Sequence, residues 1–244
     1  MRVLYLGDVV GRSGRDAVAR HMPELRHKLS PDFIVVNGEN AAGGFGITEK
    51  ICDQFFDLGV DVVVTGNHAW DQNETISHIA KEPRLLRPAN FPAGTPGRGA
   101  GVFSTAAGKK VAVIQVMGRV FMDPLDDPFA TVQAELNKVR LGATVDFVLI
   151  DIHAEATSEK AAMGHFADGR ASLVAGTVAA IACSSSAWPK PSCSICSGYF
   201  TLHHGGLACM LAGSALPHSS AFTQFARRPR PRPGHAVKLA RSIT

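Results

Sequence analysis

The last 67 residues of this 244-residue chain contain no aspartate and no glutamate. All 21 acidic residues lie at or before Asp168, and 18 of the 25 Lys and Arg precede residue 178. Residues 1–177 therefore carry a net charge of −3 and residues 178–244 carry +7, so the overall +4 describes neither part. At the acid density of the first part, the tail would hold about eight acids; their absence marks a break in sequence character. Long apolar runs are lacking too. The least polar stretch, about Ala171–Cys183, falls short of the roughly 20 apolar residues of a membrane helix. The N-terminus reaches Arg2 and Asp8 before any uninterrupted apolar stretch, which argues against a secretory signal. The expectation is a soluble cytoplasmic protein with no membrane partner. Cysteine is nearly absent before the break, where Cys52 stands alone; Cys183, Cys193, Cys196 and Cys209 all lie beyond it.

What is present is an alternation. Apolar runs at Val3–Leu6, Phe33–Val36, Val60–Val64, Val111–Val116 and Phe147–Ile152 read as buried strands. Between them, Val18, Met22, Leu25 and Leu29 recur on one helical face, with Pro23 inside the span implying a kink. Thr48 is placed to cap a helix whose face holds Ile51, Phe55 and Leu58, and Gly59 is placed to end it. Ile76 and Ile79 mark a helix between Glu74 and Lys81, and Val132 to Leu141 reads as another. Val102-Phe103 and Val111–Val116 form a hairpin turning near Gly108. Strands alternating with helices predict a parallel or mixed sheet covered by helices. The length suits one large α/β domain or two small ones, and no repeat is visible.

Four of the apolar runs end in ligand-type residues: Gly7-Asp8, Gly38-Glu39-Asn40, Gly66-Asn67-His68 and His153. Polar groups at the carboxyl ends of successive strands are how open α/β sheets build metal and phosphate sites. Asp8 and Glu39 are hard oxygen donors, Asn40 and Asn67 add amide oxygens, and His153 adds an imidazole. That mixture suits iron, manganese or zinc better than a thiol-bound structural zinc. A carboxylate such as Glu39 can bridge two ions, and two ions about 3.5–4 Å apart can clamp the oxygens of an in-line phosphoryl displacement. His68 is placed to protonate a leaving oxygen, since histidine titrates near neutrality. Singly, each residue has a plainer reading. Asp8 could be a helix cap, Asn67-His68 an Asx-turn, and His153 a hydrogen-bonded core histidine. Together at strand ends they favour a metal site.

The runs Gly7-Asp8-Val9-Val10-Gly11, Asn37 to Gly44, Gly66-Asn67-His68-Ala69-Trp70-Asp71, Arg87-Pro88-Ala89-Asn90, Gly94-Thr95-Pro96-Gly97, Met117 to Met122 and His153 to Lys160 resemble the YmdB-type metallophosphoesterases of the calcineurin-like superfamily. The resemblance covers residues 1 to about 177. It implies a four-layer α/β/β/α sandwich, a centre of two divalent or mixed-valence ions (iron first, manganese or zinc as alternatives) and a phosphodiester substrate such as a cyclic nucleotide or RNA-derived diester. It implies Asp8 and Asn40 on one metal, Glu39 bridging, Asn67 and His153 on the other, and His68 as proton donor. A homo-oligomer is compatible with it.

The chain departs from the family at one point. Family members continue after Gly-Thr with His-Thr-His, one histidine for each metal; here Gly176-Thr177 is followed by Val178-Ala179-Ala180. The expected division is an incomplete metallophosphoesterase domain over 1–177 and a divergent tail over 178–244. So abrupt a change, into an Ala/Ser/Pro/Arg/Cys-rich tail, has the look of GC-rich DNA translated in a shifted frame; a natural, divergent C-terminus is the alternative. The tail is expected to be disordered or poorly packed, leaving part of the second sheet as an unpaired edge. Its Cys193, Cys196, His203, His204 and Cys209 are too loosely spaced for a firm zinc knot. Its Arg227 to Arg232 run could touch phosphate backbones, though a solvated run is the plainer reading. The functional expectation is a di-metal phosphodiesterase. The alternative is a catalytically impaired remnant, or a nucleotide- or nucleic-acid-binding protein.

Overall fold

Period-two alternation on the strands builds a two-sided core. The computed structural model describes residues 1–178, 180–182, 198–200 and 209–213, with side chains described through residue 177. The first sheet uses β1 (Arg2–Leu6), β2 (Phe33–Asn37), β3 (Val62–Val64) and β4 (Leu85–Leu86), all parallel. The second uses β5 (Ala100–Ser104), β6 (Lys110–Met117), β7 (Phe147–Ala154) and β8 (Leu173–Val178). There β5 and β6 form the expected antiparallel hairpin, with Gly108 at φ 76° in its turn, and β6, β7 and β8 run parallel.

Alternate residues of each strand face opposite layers. Val3, Tyr5, Phe33, Val35, Val62 and Val64 of the first sheet meet Val111, Val113, Phe147, Leu149, Leu173 and Ala175 of the second. The outer face of the first sheet, with Leu4, Leu6, Ile34 and Val36, packs under α1 (Gly11–Leu29), α2 (Glu49–Asp57) and α3 (Asn73–Ile79). The outer face of the second, with Val148, Ile150 and Ile152, packs under α4 (Pro128–Lys138) and α5 (Thr157–Phe166). The result is the expected α/β/β/α sandwich.

Local expectations fare unevenly. Thr48 caps α2 by accepting from the Ile51 amide, and Gly59 follows the helix at φ 82°. The helix α1 runs unbroken through Pro23, which deletes one helical hydrogen bond without ending the helix. Ile79 is buried but Ile76 is exposed, because α3 presents Thr75 and Ile79 inward. The fourth helix begins earlier than its apolar pattern, at Pro128, because Asp127 caps the Phe129 and Ala130 amides.

Three tail segments take strand positions. β9 (Ala180–Ala182) pairs with β8, β10 (Gly198–Phe200) pairs with β9, and β11 (Cys209–Gly213) runs antiparallel to β1. The tail was expected not to supply the remaining strands readily, and these three segments do take strand positions. His203, His204, Cys193, Cys196 and Arg227 to Arg232 lie outside the described residues.

Candidate metal centre

At the carboxyl end of the sandwich, the layer between the sheets changes from apolar to polar. On β7, Phe147 and Leu149 face the first sheet as hydrocarbon; two and four positions beyond Leu149, the same face carries Asp151 and His153. On β6 the series Val111, Val113 is continued by Gln115, and on β8 Leu173, Ala175 is continued by Thr177. Asn37 continues Phe33 and Val35 on β2. All five polar side chains are essentially inaccessible to water.

The first sheet sends its residues in from the loops after its strands. Asp8 follows β1, Glu39 and Asn40 follow β2, and Asn67 opens a short 3-10 turn (Asn67–Trp70) after β3. Close backbone approach makes this possible. A Cβ at Gly66 would collide with Glu39 Oε2 and the His153 ring, so only glycine leaves that space clear. Gly38 N bonds Val64 O at 3.0 Å and Val9 N bonds Asn37 O at 3.0 Å, tying the three loops together.

The five expected donors form one chain of contacts. Asn40 Nδ2 donates to Asp8 Oδ2 at 2.6 Å and lies 3.3 Å from Glu39 Oε1. Glu39 Oε2 lies 3.2 Å from His153 Nε2, which is 2.6 Å from Asn67 Oδ1. His153 does not follow its strand, as its position after Phe147–Ile152 suggested; β7 continues through Ala154, and strand alternation aims the ring inward. His68 sits at the rim, with Nδ1 2.7 Å from Asp71 Oδ2 and its ring edge-to-face with Phe45 at 5.2 Å.

Burial dominates the electrostatics. Desolvation pushes Asp8 up to about 6, against the opposing effects of the Asn40 amide and nearby His68. It holds Glu39 well above the usual carboxylate range, reinforced by Asp8, Asp151 and Asp71. It also raises Asp151 to about 7 and depresses His153 to about 3, so the ring is neutral at physiological pH. Two buried carboxylate oxygens, Asp8 Oδ1 and Glu39 Oε2, have no hydrogen-bond partner. Buried anions left in this condition call for a cation or a proton. Among the described residues no three His, Cys, Asp or Glu side chains make a group that could hold an ion by themselves. Asp8, Glu39 and His153 instead follow one another along the chain of contacts, with the Asn40 amide between Asp8 and Glu39 and the Asn67 amide beside His153, and these hard oxygens and one nitrogen fit divalent cations.

Sequence reasoning missed Asp151, Gln115 and Thr177. Asp151 and Gln115 do carry a signal, a polar residue inside an otherwise apolar strand run. It also missed α5, whose Glu159 turns inward and accepts from the Arg119 and Val120 amides.

Two facing mixed sheets with helices outside, and a cleft of Asp, Glu, Asn and His at the strand ends, define the calcineurin-like phosphoesterase architecture. The chain belongs to the YmdB-like protein family, whose model matches residues 4–187. It is 49% identical over 177 residues to the 2',3'-cyclic-nucleotide 2'-phosphodiesterase of Bacillus subtilis (strain 168), covering 72% of this chain and 66% of that protein. A Mycoplasma genitalium relative is 31% identical over 183 residues, 72% of this chain and 63% of its own length. The chain thus spans just under two thirds of the length of these curated relatives. Among solved structures, a hypothetical protein of Thermus thermophilus superposes with a TM-score of 0.70 at 42% identity, covering 80% of this chain and 74% of that one. A phosphatase of Mycoplasma pneumoniae superposes with a TM-score of 0.70 at 28% identity, covering 80% and 70%.

Proposed function

We propose that this chain carries the cleft of a metal-dependent phosphodiesterase that acts on cyclic nucleotides or RNA-derived diesters. The observation that carries the reading is the pair of unpartnered buried carboxylate oxygens, Asp8 Oδ1 and Glu39 Oε2, beside a neutral His153. The similarity to the Bacillus subtilis phosphodiesterase supports the substrate class. Asp8 and Asn40 would hold one ion, Asn67 and His153 a second, and Glu39 would bridge them, with iron first and manganese or zinc as alternatives. When bound, such ions neutralise the phosphate charge and activate water for attack. His68 would deliver a proton to the leaving oxygen, and Asp71 on its Nδ1 leaves Nε2 free for that task. The cytoplasm is the proposed compartment, which cell fractionation tests; no helix among the described residues is long and apolar enough to cross a membrane. A homo-oligomer is open to sizing by light scattering.

One sequence observation favours an impaired version of this enzyme. Val178 and Ala180 stand where the family places its last two metal-binding histidines, and neither side chain has a donor atom. The family match ends at residue 187, close to the break in composition at residue 178. We therefore propose an incomplete phosphoesterase domain over 1–177 followed by an out-of-frame tail. Reading the coding DNA near Thr177 tests the second part: another frame should specify His-Thr-His and then acidic residues, and its absence there defeats the shifted-frame account. Metal analysis and hydrolysis of bis(4-nitrophenyl) phosphate test the first. The chain as written should retain metal weakly and turn over little substrate, whereas V178H/A180H should respond to added Mn²⁺ or Fe²⁺. No response in either chain would defeat the metal reading.

A further inference from the structure

Behind His153 runs a directed chain of hydrogen bonds. It starts at the backbone: Thr65 N–H donates to Gln115 Oε1 at 3.1 Å. That contact settles which end of the amide faces inward, so Gln115 Nε2 donates to Asp151 Oδ2 at 2.9 Å across the β6–β7 register. The other carboxylate oxygen, Asp151 Oδ1, accepts from the Thr177 hydroxyl at 3.3 Å. A hydroxyl has a single proton. With that proton directed at Asp151, Thr177 Oγ1 offers only lone pairs to His153 Nδ1, 3.0 Å away. The contact is a hydrogen bond only if Nδ1 carries the ring proton.

We propose that Asp151 and Thr177 form a positioning relay that holds His153 as the Nδ1–H tautomer and aims the bare Nε2 lone pair into the cleft. Nε2 then faces Asn67 Oδ1 at 2.6 Å and Glu39 Oε2 at 3.2 Å. Three lone-pair groups then meet, an arrangement that a cation or a proton on Glu39 relieves. The opposite tautomer would donate to Asn67 and would require the Thr177 hydroxyl to turn its proton from Asp151 to His153 Nδ1, leaving Asp151 Oδ1 without that donor. The relay's consequence for metal affinity rests on the proposed metal site; the tautomer belongs to the metal-free protein and does not.

The test is long-range ¹H–¹⁵N correlation NMR on the metal-free full chain with ¹⁵N-labelled histidine. The measurement is made at mildly alkaline pH, and H153Q identifies the ring. The expected pattern is pyrrole-type Nδ1 and pyridine-type Nε2. D151N keeps the volume but changes the polarity. Gln115 Nε2 still needs an acceptor and takes the new amide oxygen, so the new amide NH₂ faces Thr177 and donates to it. The Thr177 proton then turns toward His153, and the tautomer should invert to Nε2–H. T177V should lose the Nδ1–H preference and T177S should restore it, with thermal melts confirming that each variant folds. An Nε2–H ring in the parent chain, or an unchanged ring in both D151N and T177V, overturns the relay. Zn²⁺ titration reads the consequence separately: T177V should weaken binding by about 10–100-fold, the usual cost of removing a metal ligand's hydrogen-bond partner. A switched tautomer with unchanged Zn²⁺ affinity would overturn the metal-orienting role. A parent chain with the expected tautomer that binds no Zn²⁺ would count against the metal site and leave the relay standing.

Discussion

The first sheet delivers its proposed donors from loops, whereas the second delivers its polar residues from inside its strands. Asp8, Glu39, Asn40 and Asn67 all follow strand ends, where the chain turns out of the core. His153, Asp151 and Gln115 lie within β7 and β6, with Thr177 in β8 between two described strand neighbours. Loop residues can converge on a ligand but are held by few contacts; strand residues have their directions set by the pleat and the ladder on both sides. The difference assigns complementary tasks: the first sheet supplies most of the proposed donors, and the second supplies one imidazole and the hydrogen bonds that orient it.

The largest expected effect belongs to the loop side. In a chain carrying V178H/A180H, H68A should lower diester hydrolysis by about 10²–10⁴-fold, the usual worth of a general acid. A steady-state assay with bis(4-nitrophenyl) phosphate checks it, and an unchanged rate removes His68 from the mechanism. Next comes the strand side. V178H/A180H should itself tighten Mn²⁺ binding by at least about 10–100-fold, since a lost ligand costs no less than a lost partner of a ligand. Calorimetric titration measures this; equal affinities would mean that other residues have taken over those positions. Smaller again is Q115L, which strands a buried Asp151 oxygen and should cost about 1–3 kcal/mol of stability in urea unfolding. A neutral result would show that the buried polar layer is expendable. Far from the cleft, T48A should remove the cap of α2 for about 1 kcal/mol and leave metal binding untouched. A larger loss, or any loss of metal, would show that the helix layer and the cleft are coupled.

The same contrast explains what could be read in advance. A donor after an apolar run stands out, because a glycine and a polar residue interrupt the hydrophobic pattern; Asp8, Glu39, Asn40, Asn67 and His68 are visible on that ground. Asp151 and Gln115 sit inside runs that read as buried strands, and their role follows only from the register that sets them opposite each other. Thr177 is inconspicuous until β8 places it across from His153. The sandwich was legible from the alternation of strands and helices together with family likeness. Helix faces were less so: Ile76 marked the apolar pattern of α3 but is exposed, and no periodicity pointed to Glu159 and Lys160, which are buried. Glu159 is turned inward by the Arg119 and Val120 amides and Lys160 reaches the Thr177 carbonyl of β8, contacts that periodicity cannot register.

The central claim is that Glu39 and its neighbours form a cation site. Mn²⁺ titration of the metal-stripped V178H/A180H chain, with and without E39Q, tests it most directly. The account predicts saturable uptake of two ions per chain that E39Q abolishes or weakens by at least about tenfold, because that change neutralises the bridging carboxylate. Identical uptake by the two chains would contradict it.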